Sequence, residues 1–275
     1  MHNQSSIEEL TCLDKLRIQV GWTYRGEKYK GEAKRNRSHV EVHFLSSWSL
    51  SNFLLAMQLV IRPYSPSDKD AVLTLYSVGM CEHIHPCFHN AMTSPLYLAI
   101  TLTLCVAGYL LSSVLGAVML LGVWVGLVYY CCHEVYAAGV RERLRTDMQD
   151  IPGNYLSRPD DCFWVAEAEV DGRAQIMGIV AVVAQQSETE RYGTLTRVVI
   201  SPLCRRMGVG CRMVQTVIDF SKERGFSKVM LETTSPQIAA VALYKKLGFR
   251  HVLSYSPFGV FKLARVIIFR MEKHL

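Results

Sequence analysis

The sequence predicts a mixed α/β domain, a sheet flanked by helices, that is interrupted near its N-terminus by a membrane-embedded helical hairpin. Two observations lead to this prediction. From residue 157 to the C-terminus, segments with the period of strands alternate with segments with the period of helices. Residues 91–132 contain no charged residue and no histidine, which is typical of segments that cross a membrane.

Composition limits the classes of function. The chain has 275 residues, of which 50% are hydrophobic, so it can fill the core of one large domain or two small ones. Its net charge is +6, and no run of Lys or Arg is longer than two residues. We therefore expect no nucleic-acid partner, and the charge suits a basic pocket for an acidic ligand. The nine cysteines are an odd number without a disulfide framework, which favours reduced thiols.

The first 90 residues divide into a polar extension and the start of the folded domain. Residues 1–56 show little strand or helix period, and we expect a poorly ordered extension that the function does not require. Residues 57–62 are predicted as a short strand, and residues 65–80 as a helix opened by the capping sequence Ser-Pro-Ser-Asp. Residues 57–90 therefore supply the first strand and helix of the domain.

The uncharged segment, residues 91–132, is long enough for two short crossings or one long one. Residues 95–111 and 114–130 predict two apolar helices, each about 26 Å long, which suits the thin bilayer of the endoplasmic reticulum. The alternative is one tilted span of about 25 residues. Basic residues flank both ends of the segment: Arg62, Lys69, Arg141, Arg143 and Arg145. We therefore predict an even number of crossings, with the domain facing the cytosol.

The remaining residues, 133–275, are predicted to hold the rest of the domain. Alternating or β-branched runs mark the strands, while a period of 3.6 residues with capping residues marks the helices. Strands are expected at residues 162–170, 174–186, 193–201, 228–232, 249–255 and 266–272. Helices are expected at residues 133–148, at 208–224, and from the cap Ser235 with Pro236 at the first position to Gly248. Residues 149–154 are expected to form a loop, and Asp171-Gly172 a hairpin turn.

Residues 198–210 run from the end of a strand through a glycine-containing turn into a helix. Glycine lets a backbone approach a ligand closely, and the free N–H groups at a helix N-terminus favour a pyrophosphate. Arg205 and Arg206 add positive charge at this turn. A plain strand-turn-helix unit with glycines for packing explains the same pattern, so the turn alone does not decide the function.

Two motifs in this part of the chain resemble the GNAT superfamily of acetyltransferases. Arg205, Gly208 and Gly210 match its cofactor motif, Arg/Gln-x-x-Gly-x-Gly/Ala, which follows a strand. Residues 243–249, Leu-Tyr-Lys-Lys-Leu-Gly-Phe, match its second motif, at the end of a helix. The two motifs occur in the family's order, between the expected strands.

A membrane segment early in such a domain narrows the resemblance to the camello-type acetyltransferases. These are relatives of the cysteine-S-conjugate N-acetyltransferase and the N-acetylaspartate synthase. Residues 163–167, Phe-Trp-Val-Ala-Glu, add to the similarity, which covers residues 57–84 and 157–275. In this group the first strand precedes the hairpin and the remainder follows it, which favours two crossings over one.

The resemblance implies a splayed sheet and a reaction in which an amine attacks acetyl-coenzyme A directly, without an acyl-enzyme. It implies that backbone groups around Val198 and Ile200 bind the pantetheine arm and polarise the thioester carbonyl. It assigns the pyrophosphate to the turn: Arg205, Arg206, Gly208, Val209 and Gly210. No metal is expected in this chemistry.

Candidate residues for the two proton transfers follow from the same resemblance. Tyr244 would protonate the departing thiolate, which suits a phenol whose pKa is near 10, unless it is only a core residue. Glu232, at the end of a strand beside the cofactor, is a candidate base for the amine. Arg197 stands where some relatives carry a proton acceptor, and Gln237 replaces an asparagine common in the family. We expect the acceptor to be an amino-acid-like molecule, such as a cysteine S-conjugate, or a protein lysine, with Arg197 or Arg191 attracting a carboxylate.

Two alternatives stay open. A catalytically weak scaffold that keeps the fold on a membrane and binds partners is the alternative function. Residues 81–89 alternate Cys and His like metal ligands, but their spacing fits no common zinc pattern, and Pro86 interrupts it. We interpret this segment as a histidine-rich loop near the membrane surface. Asn3 and Asn36 begin glycosylation sequons, which a cytosolic N-terminus does not use.

Overall fold

A computed structural model describes residues 59–275, apart from residues 112, 171 and 258. The prediction for residues 1–56 lies outside this range. The described chain divides into two units, of which the larger holds residues 60–167 and 175–275. The smaller includes Ala168–Ala174, where Gly172 has a φ of +72°, as a tight hairpin turn requires.

Seven strands form one mixed sheet in the order β1-β2-β3-β4-β5-β7-β6. β4 and β5 are parallel, whereas β1 with β2, β3 with β4, and β7 with both β5 and β6 are antiparallel. The strands are β1 Val60–Pro63, β2 Cys162–Val170, β3 Arg173–Gln186, β4 Arg191–Ile200, β5 Lys228–Thr234, β6 Arg250–Tyr255 and β7 Ile268–His274. The mixed sheet flanked by helices that the sequence predicts is therefore confirmed.

Eight α-helices accompany the sheet in the described part of the chain. They are α1 Lys69–Cys81, α2 Ile84–Met92, α3 Pro95–Leu111, α4 Val114–Arg145, α5 Ile151–Tyr155, α6 Val209–Glu223, α7 Ile238–Lys246 and α8 Val260–Leu263. Just ahead of α1, Ser65 and Asp68 form a capping box around a short 3-10 turn, as the Ser-Pro-Ser-Asp sequence predicts.

Three local predictions are wrong. The histidine-rich segment is the helix α2, because Pro86 lies in its first turn, where a missing N–H costs nothing, and Ile84, Cys87 and Ala91 bury one face. The predicted loop at 149–154 contains α5. The helix α7 begins at Ile238 rather than at the predicted cap Ser235, whose hydroxyl instead accepts a hydrogen bond from Ile267 N at 3.1 Å.

The helices α3 and α4 form an antiparallel pair. Near their connection a Cβ added to Gly108 would lie 2.5 Å from Ala117 Cα, so the two backbones are in close contact. Further along, the Trp124 indole N–H donates to Thr101 Oγ1 at 3.1 Å. The apolar side chains on the outside of the pair are widely exposed, among them Leu102, Leu110, Leu115, Val118 and Val123. By length and composition, α4 is able to cross a membrane.

The second half of α4 belongs to the core of the domain. The helix runs for 32 residues without a break. Residues 133–145 are helical as predicted, and they continue the second helix of the pair. Val135, Tyr136 and Val140 are buried, and this half packs against α1 and α2. One continuous helix therefore connects the apolar pair to the sheet.

Candidate active site

β4 and β5 diverge at their C-terminal ends. They pair only over residues 193–195 of β4 and 229–231 of β5, within the described chain. β4 continues to Ile200 and β5 to Thr234, and the backbone of β4 after Leu195 has no partner strand on that side. We call this region, residues 196–200 with 232–234, the β4–β5 opening. It corresponds to the splayed sheet that the resemblance implies.

A β-bulge at Arg197 sets the direction of the side chains that border the opening. Ile179 pairs with Val199 but Ala181 pairs with Thr196, so two residues of β4 lie opposite one residue of β3. Arg197 has a φ of +55°. The bulge turns Val199 toward α1, where a Cβ on Gly79 would lie 2.3 Å from Val199 Cγ1. Sequence reasoning missed this bulge, because arginine is an uncommon residue in the left-handed conformation.

The side chain of Arg197 holds the bulge through an ion pair. Its Nε and Nη2 lie 2.9 and 2.5 Å from Asp147 Oδ2, and the Tyr155 hydroxyl donates to the same carboxylate. Desolvation raises the pKa of Asp147, but the hydrogen bonds from Tyr155 and Arg197 outweigh it, so the pKa is lowered overall. Arg191 is likewise paired, with Asp160. Both guanidinium groups thus have carboxylate partners within the chain, which argues against the expected role in attracting an acceptor carboxylate.

The glycine turn leaves space at the N-terminus of α6. Gly208 is the N-cap residue with a φ of +78°, and an added Cβ would meet no atom within 4 Å. The first bond of the helix runs from Arg212 N to Gly208 O at 3.0 Å, so the preceding N–H groups, Val209 and Gly210 included, have no acceptor within the helix. Open space beside free N–H groups fits the pyrophosphate of coenzyme A.

Gly210 brings three elements of the candidate site together. An added Cβ would lie 3.2 Å from Leu243 Cδ2 and 3.6 Å from Ile200 Cγ1. The start of α6 therefore packs against both the end of β4 and α7. This close packing places the two motifs of the sequence side by side, with Tyr244 adjacent to the contact residue Leu243.

The two arginines of the turn have different surroundings. Arg205 donates from Nε and Nη2 to Ile200 O, both at 3.1 Å, and its Nη2 lies 2.5 Å from Glu82 Oε1. Its charge is therefore directed at the end of β4 and the end of α1. Arg206 is exposed with a φ of +64°, and no described residue bonds its guanidinium. Of the two, Arg206 is the one free to reach a phosphate.

Tyr244 lies on α7 with 5% of its surface exposed. Its ring packs edge-on against Phe249, with 5.8 Å between the centroids, and no described residue forms a hydrogen bond with its hydroxyl. Burial raises the pKa of the phenol. The hydroxyl thus stays protonated at neutral pH, as a general acid must.

Glu232 lies on the surface of β5, directly opposite Arg270 of β7. Its Oε1 accepts hydrogen bonds from Arg270 Nε at 3.1 Å and Nη2 at 2.8 Å, and its Oε2 accepts one from the Tyr255 hydroxyl at 3.2 Å. Both oxygens are therefore engaged. Its role as a base stays a prediction.

A further group of side chains at the end of β5 escaped sequence reasoning. The Tyr136 hydroxyl lies 3.1 Å from Thr234 Oγ1, and the Tyr136 ring lies 5.8 Å from the His83 imidazole, centroid to centroid. We call His83, Tyr136 and Thr234 the β5-end cluster. These residues come from three distant parts of the chain, so no local pattern links them. Among the described residues, no three His, Cys, Asp or Glu side chains are grouped so as to hold a metal ion.

Comparison with known proteins agrees with this geometry. Residues 129–249 match the acetyltransferase (GNAT) family. A probable N-acetyltransferase camello of Xenopus laevis is 33% identical over 72% of this chain and 88% of its own length. N-acetyltransferase family 8 member 3 of Mus musculus is 36% identical over 69% of this chain and 84% of its own. An N-acetylaspartate synthetase of Xenopus tropicalis is 28% identical over 71% of this chain and 70% of its own.

The fold and the two motifs define an acetyltransferase of the GNAT class. Within that class, the chain belongs to the camello-like and NAT8 family of N-acetyltransferases. The resemblance on which the sequence analysis relied is thus confirmed.

Proposed function

We propose that this N-acetyltransferase is held on a membrane and moves the acetyl group of acetyl-coenzyme A to the amine of an amino-acid-like molecule or a protein lysine. The observation that carries this proposal is the meeting of the Gly208 turn, the end of β4 and α7 at Gly210. Through that contact, the proposed pyrophosphate site at the turn, the unpaired edge of β4 and the buried phenol of Tyr244 lie close to one another.

Each part of the coenzyme has matching groups. The free N–H groups from Val209 onward suit the pyrophosphate, with Arg206 as the unpaired cation beside them. The backbone of Val198 and Ile200, on the unpaired side of β4, suits the pantetheine arm and polarises the thioester carbonyl. Arg205 positions this strand end through the carbonyl of Ile200.

The chemistry is a direct transfer. The nitrogen of the neutral amine forms a bond to the thioester carbonyl carbon, and the carbon–sulfur bond breaks. Tyr244 gives its proton to the departing sulfur as the carbon–sulfur bond breaks, since its buried phenol is still protonated at neutral pH. The phenol then recovers a proton from solvent.

The membrane part of the proposal rests on the helix pair α3 and α4. Its outward side chains are apolar and exposed, which is costly in water and favourable in lipid. Two crossings return the chain to the side on which β1 lies, and basic residues flank both ends of the pair. We therefore place the domain in the cytosol, on the endoplasmic-reticulum membrane, whose thin bilayer suits short helices.

Acetyl transfer from radiolabelled acetyl-coenzyme A to a panel of amines tests the proposal. The panel holds S-benzyl-cysteine as a cysteine S-conjugate, aspartate, and a lysine-containing peptide, with the purified full chain in lipid nanodiscs. Transfer to at least one amine is expected, and it must be lost in Tyr244→Phe. Transfer to no amine on the panel would favour the alternative, a membrane scaffold that keeps the fold, whereas tight coenzyme A binding would speak against it.

A further inference from the structure

The β5-end cluster lies at the mouth of the β4–β5 opening. Thr234 is the last residue of β5, and parallel strands end at the same edge of a sheet, so it lies on the edge where Ile200 ends β4. Tyr136 of α4 contacts Thr234 through its hydroxyl, and His83 contacts the Tyr136 ring. The imidazole of His83 is therefore linked to the end of β5 through the Tyr136 side chain.

Glu82, the residue before His83, is linked through Arg205 to the end of the other strand, β4. Glu82 forms the ion pair with Arg205, which in turn donates to the carbonyl of Ile200 at the end of β4. The dipeptide Glu82-His83, between α1 and α2, is thus linked to the end of β4 through Arg205 and to the end of β5 through Tyr136. It borders the space where the thioester carbonyl is proposed to lie.

The surroundings of His83 suit a proton acceptor. The imidazole is partly buried, and no described residue forms a hydrogen bond with it. Burial lowers the pKa of the imidazole, Glu82 raises it and Arg205 lowers it further. The pKa is lowered overall, so the ring is neutral at pH 7. The charged and titratable groups that face it are Glu82, Arg205 and Tyr136 from α4, and Tyr136 in turn interacts with the thiols of Cys87 and Cys132.

We propose that His83 is the base that takes a proton from the acceptor's ammonium group, and that the amine enters between the end of α1 and α4. The proposal rests on the acetyl transfer proposed above. The proposal assigns to His83 the role of base, for which the sequence indicated Glu232. Both carboxylate oxygens of Glu232 already accept hydrogen bonds, from Arg270 and Tyr255.

The protons balance over one turnover. An ammonium group gives one proton to His83 and becomes the amine, whose lone pair forms the new carbon–nitrogen bond. A second proton leaves the nitrogen for solvent as the amide forms, while the thiolate takes the proton of Tyr244, and Tyr244 is protonated again from solvent. His83 is partly exposed and returns its proton to solvent, so that one proton is released overall.

The test compares His83→Gln with His85→Gln, a matched change at an exposed histidine two residues away. With the best acceptor of the panel, kcat/KM of the wild type and of His85→Gln is expected to decrease at acidic pH, because the base becomes protonated below its pKa. His83→Gln should lower kcat by about 10² at pH 7.5 and lose that acid limb, since a positioned base contributes 10² to 10⁴. Its Kd for coenzyme A should not change.

A second measurement does not depend on turnover. In protein labelled with 13C-histidine, the imidazole resonance that is missing in His83→Gln should titrate below the ordinary histidine pKa of about 6.5. A kcat within threefold of wild type with the acid limb retained in His83→Gln would overturn the proposal, as would a His83 imidazole that is still protonated at pH 7.5, because a charged imidazole cannot accept a proton. If the wild type acetylates no amine on the panel, the proposed function fails and takes this proposal with it.

Discussion

The guanidinium of Arg205 forms an ion pair with Glu82, with 2.5 Å between Nη2 and Oε1. The same group donates two hydrogen bonds to the carbonyl of Ile200. One side chain therefore joins the glycine turn, the end of β4 and the end of α1. We therefore predict that the arginine of the cofactor motif acts by positioning the strand end rather than by facing a phosphate.

Replacement of Arg205 by Ala should therefore weaken coenzyme A binding. Loss of charge-assisted hydrogen bonds that position a site costs about 1.5–3 kcal/mol, so we expect a Kd at least about tenfold higher by calorimetry. Arg224→Ala removes the same charge at the far end of α6, where the guanidinium stacks on Phe220. It should leave the Kd unchanged. An equal effect of the two variants would mean that only overall charge matters.

Valine substitutions at Gly208 and Gly225 distinguish the effect of backbone strain from the effect of obstructing the ligand. Both glycines have positive φ, +78° and +69°, and an added Cβ at either meets no atom within 4 Å. Valine at either position should cost similar backbone strain, of the order of 1–3 kcal/mol. Only Gly208→Val should lose coenzyme A affinity by calorimetry, because its side chain would enter the proposed pyrophosphate site. An unchanged Kd in folded Gly208→Val would place the coenzyme elsewhere.

The Asp147–Arg197 pair should contribute more to stability than the Asp160–Arg191 pair. The side chains of the first pair are 18% and 12% exposed, whereas Arg191 is 41% exposed. Asp147→Asn leaves a mostly buried guanidinium without its charge partner, which should cost about 3 kcal/mol, while Asp160→Asn should cost less than about 1 kcal/mol. Thermal unfolding of both variants in nanodiscs measures the difference. Equal losses would mean that the bulge does not depend on its ion pair.

The same aspartate predicts a pH dependence. The pKa of Asp147 is lower in the folded state, so its contribution is complete above the unfolded value of about 3.9. The contribution is lost as the pH falls from there through the folded pKa. The difference in unfolding temperature between wild type and Asp147→Asn should therefore be constant from pH 5 to 8 and shrink below about pH 4. A difference that shrinks above pH 5 would assign the effect to another group.

The predicted topology places both termini in the cytosol. A C-terminal tag should be digested by protease in intact microsomes, because two crossings return the chain to the side on which it began. Asn3 and Asn36, which lie outside the described residues, should remain without glycans. A protected tag would contradict a cytosolic C-terminus, and a glycan at Asn3 or Asn36 would contradict a cytosolic N-terminus.

The sequence predicted those features that depend on neighbouring residues. The strands follow from alternating apolar residues, and the glycine turn from Gly208, whose left-handed φ an ordinary residue adopts only under strain. The pairing of Arg197 with Asp147 and of Tyr136 with Thr234 joins residues 50 and 98 positions apart. No local pattern records such contacts. Because these contacts engage Arg197 and bring the β5-end cluster together, the sequence predicts the candidate site only in part.

The Tyr244→Phe variant tests whether the phenol protonates the thiolate, because it keeps the ring and its contact with Phe249 and removes only the proton that would be transferred. The measurement is kcat for acetyl transfer together with the Kd for coenzyme A, in wild type and Tyr244→Phe, with Tyr192→Phe at the other end of β4 as the control. We predict a kcat lower by about 10² to 10⁴ with an unchanged Kd, and no effect of the control. A kcat within about threefold of wild type would contradict the account and leave Tyr244 as a core residue.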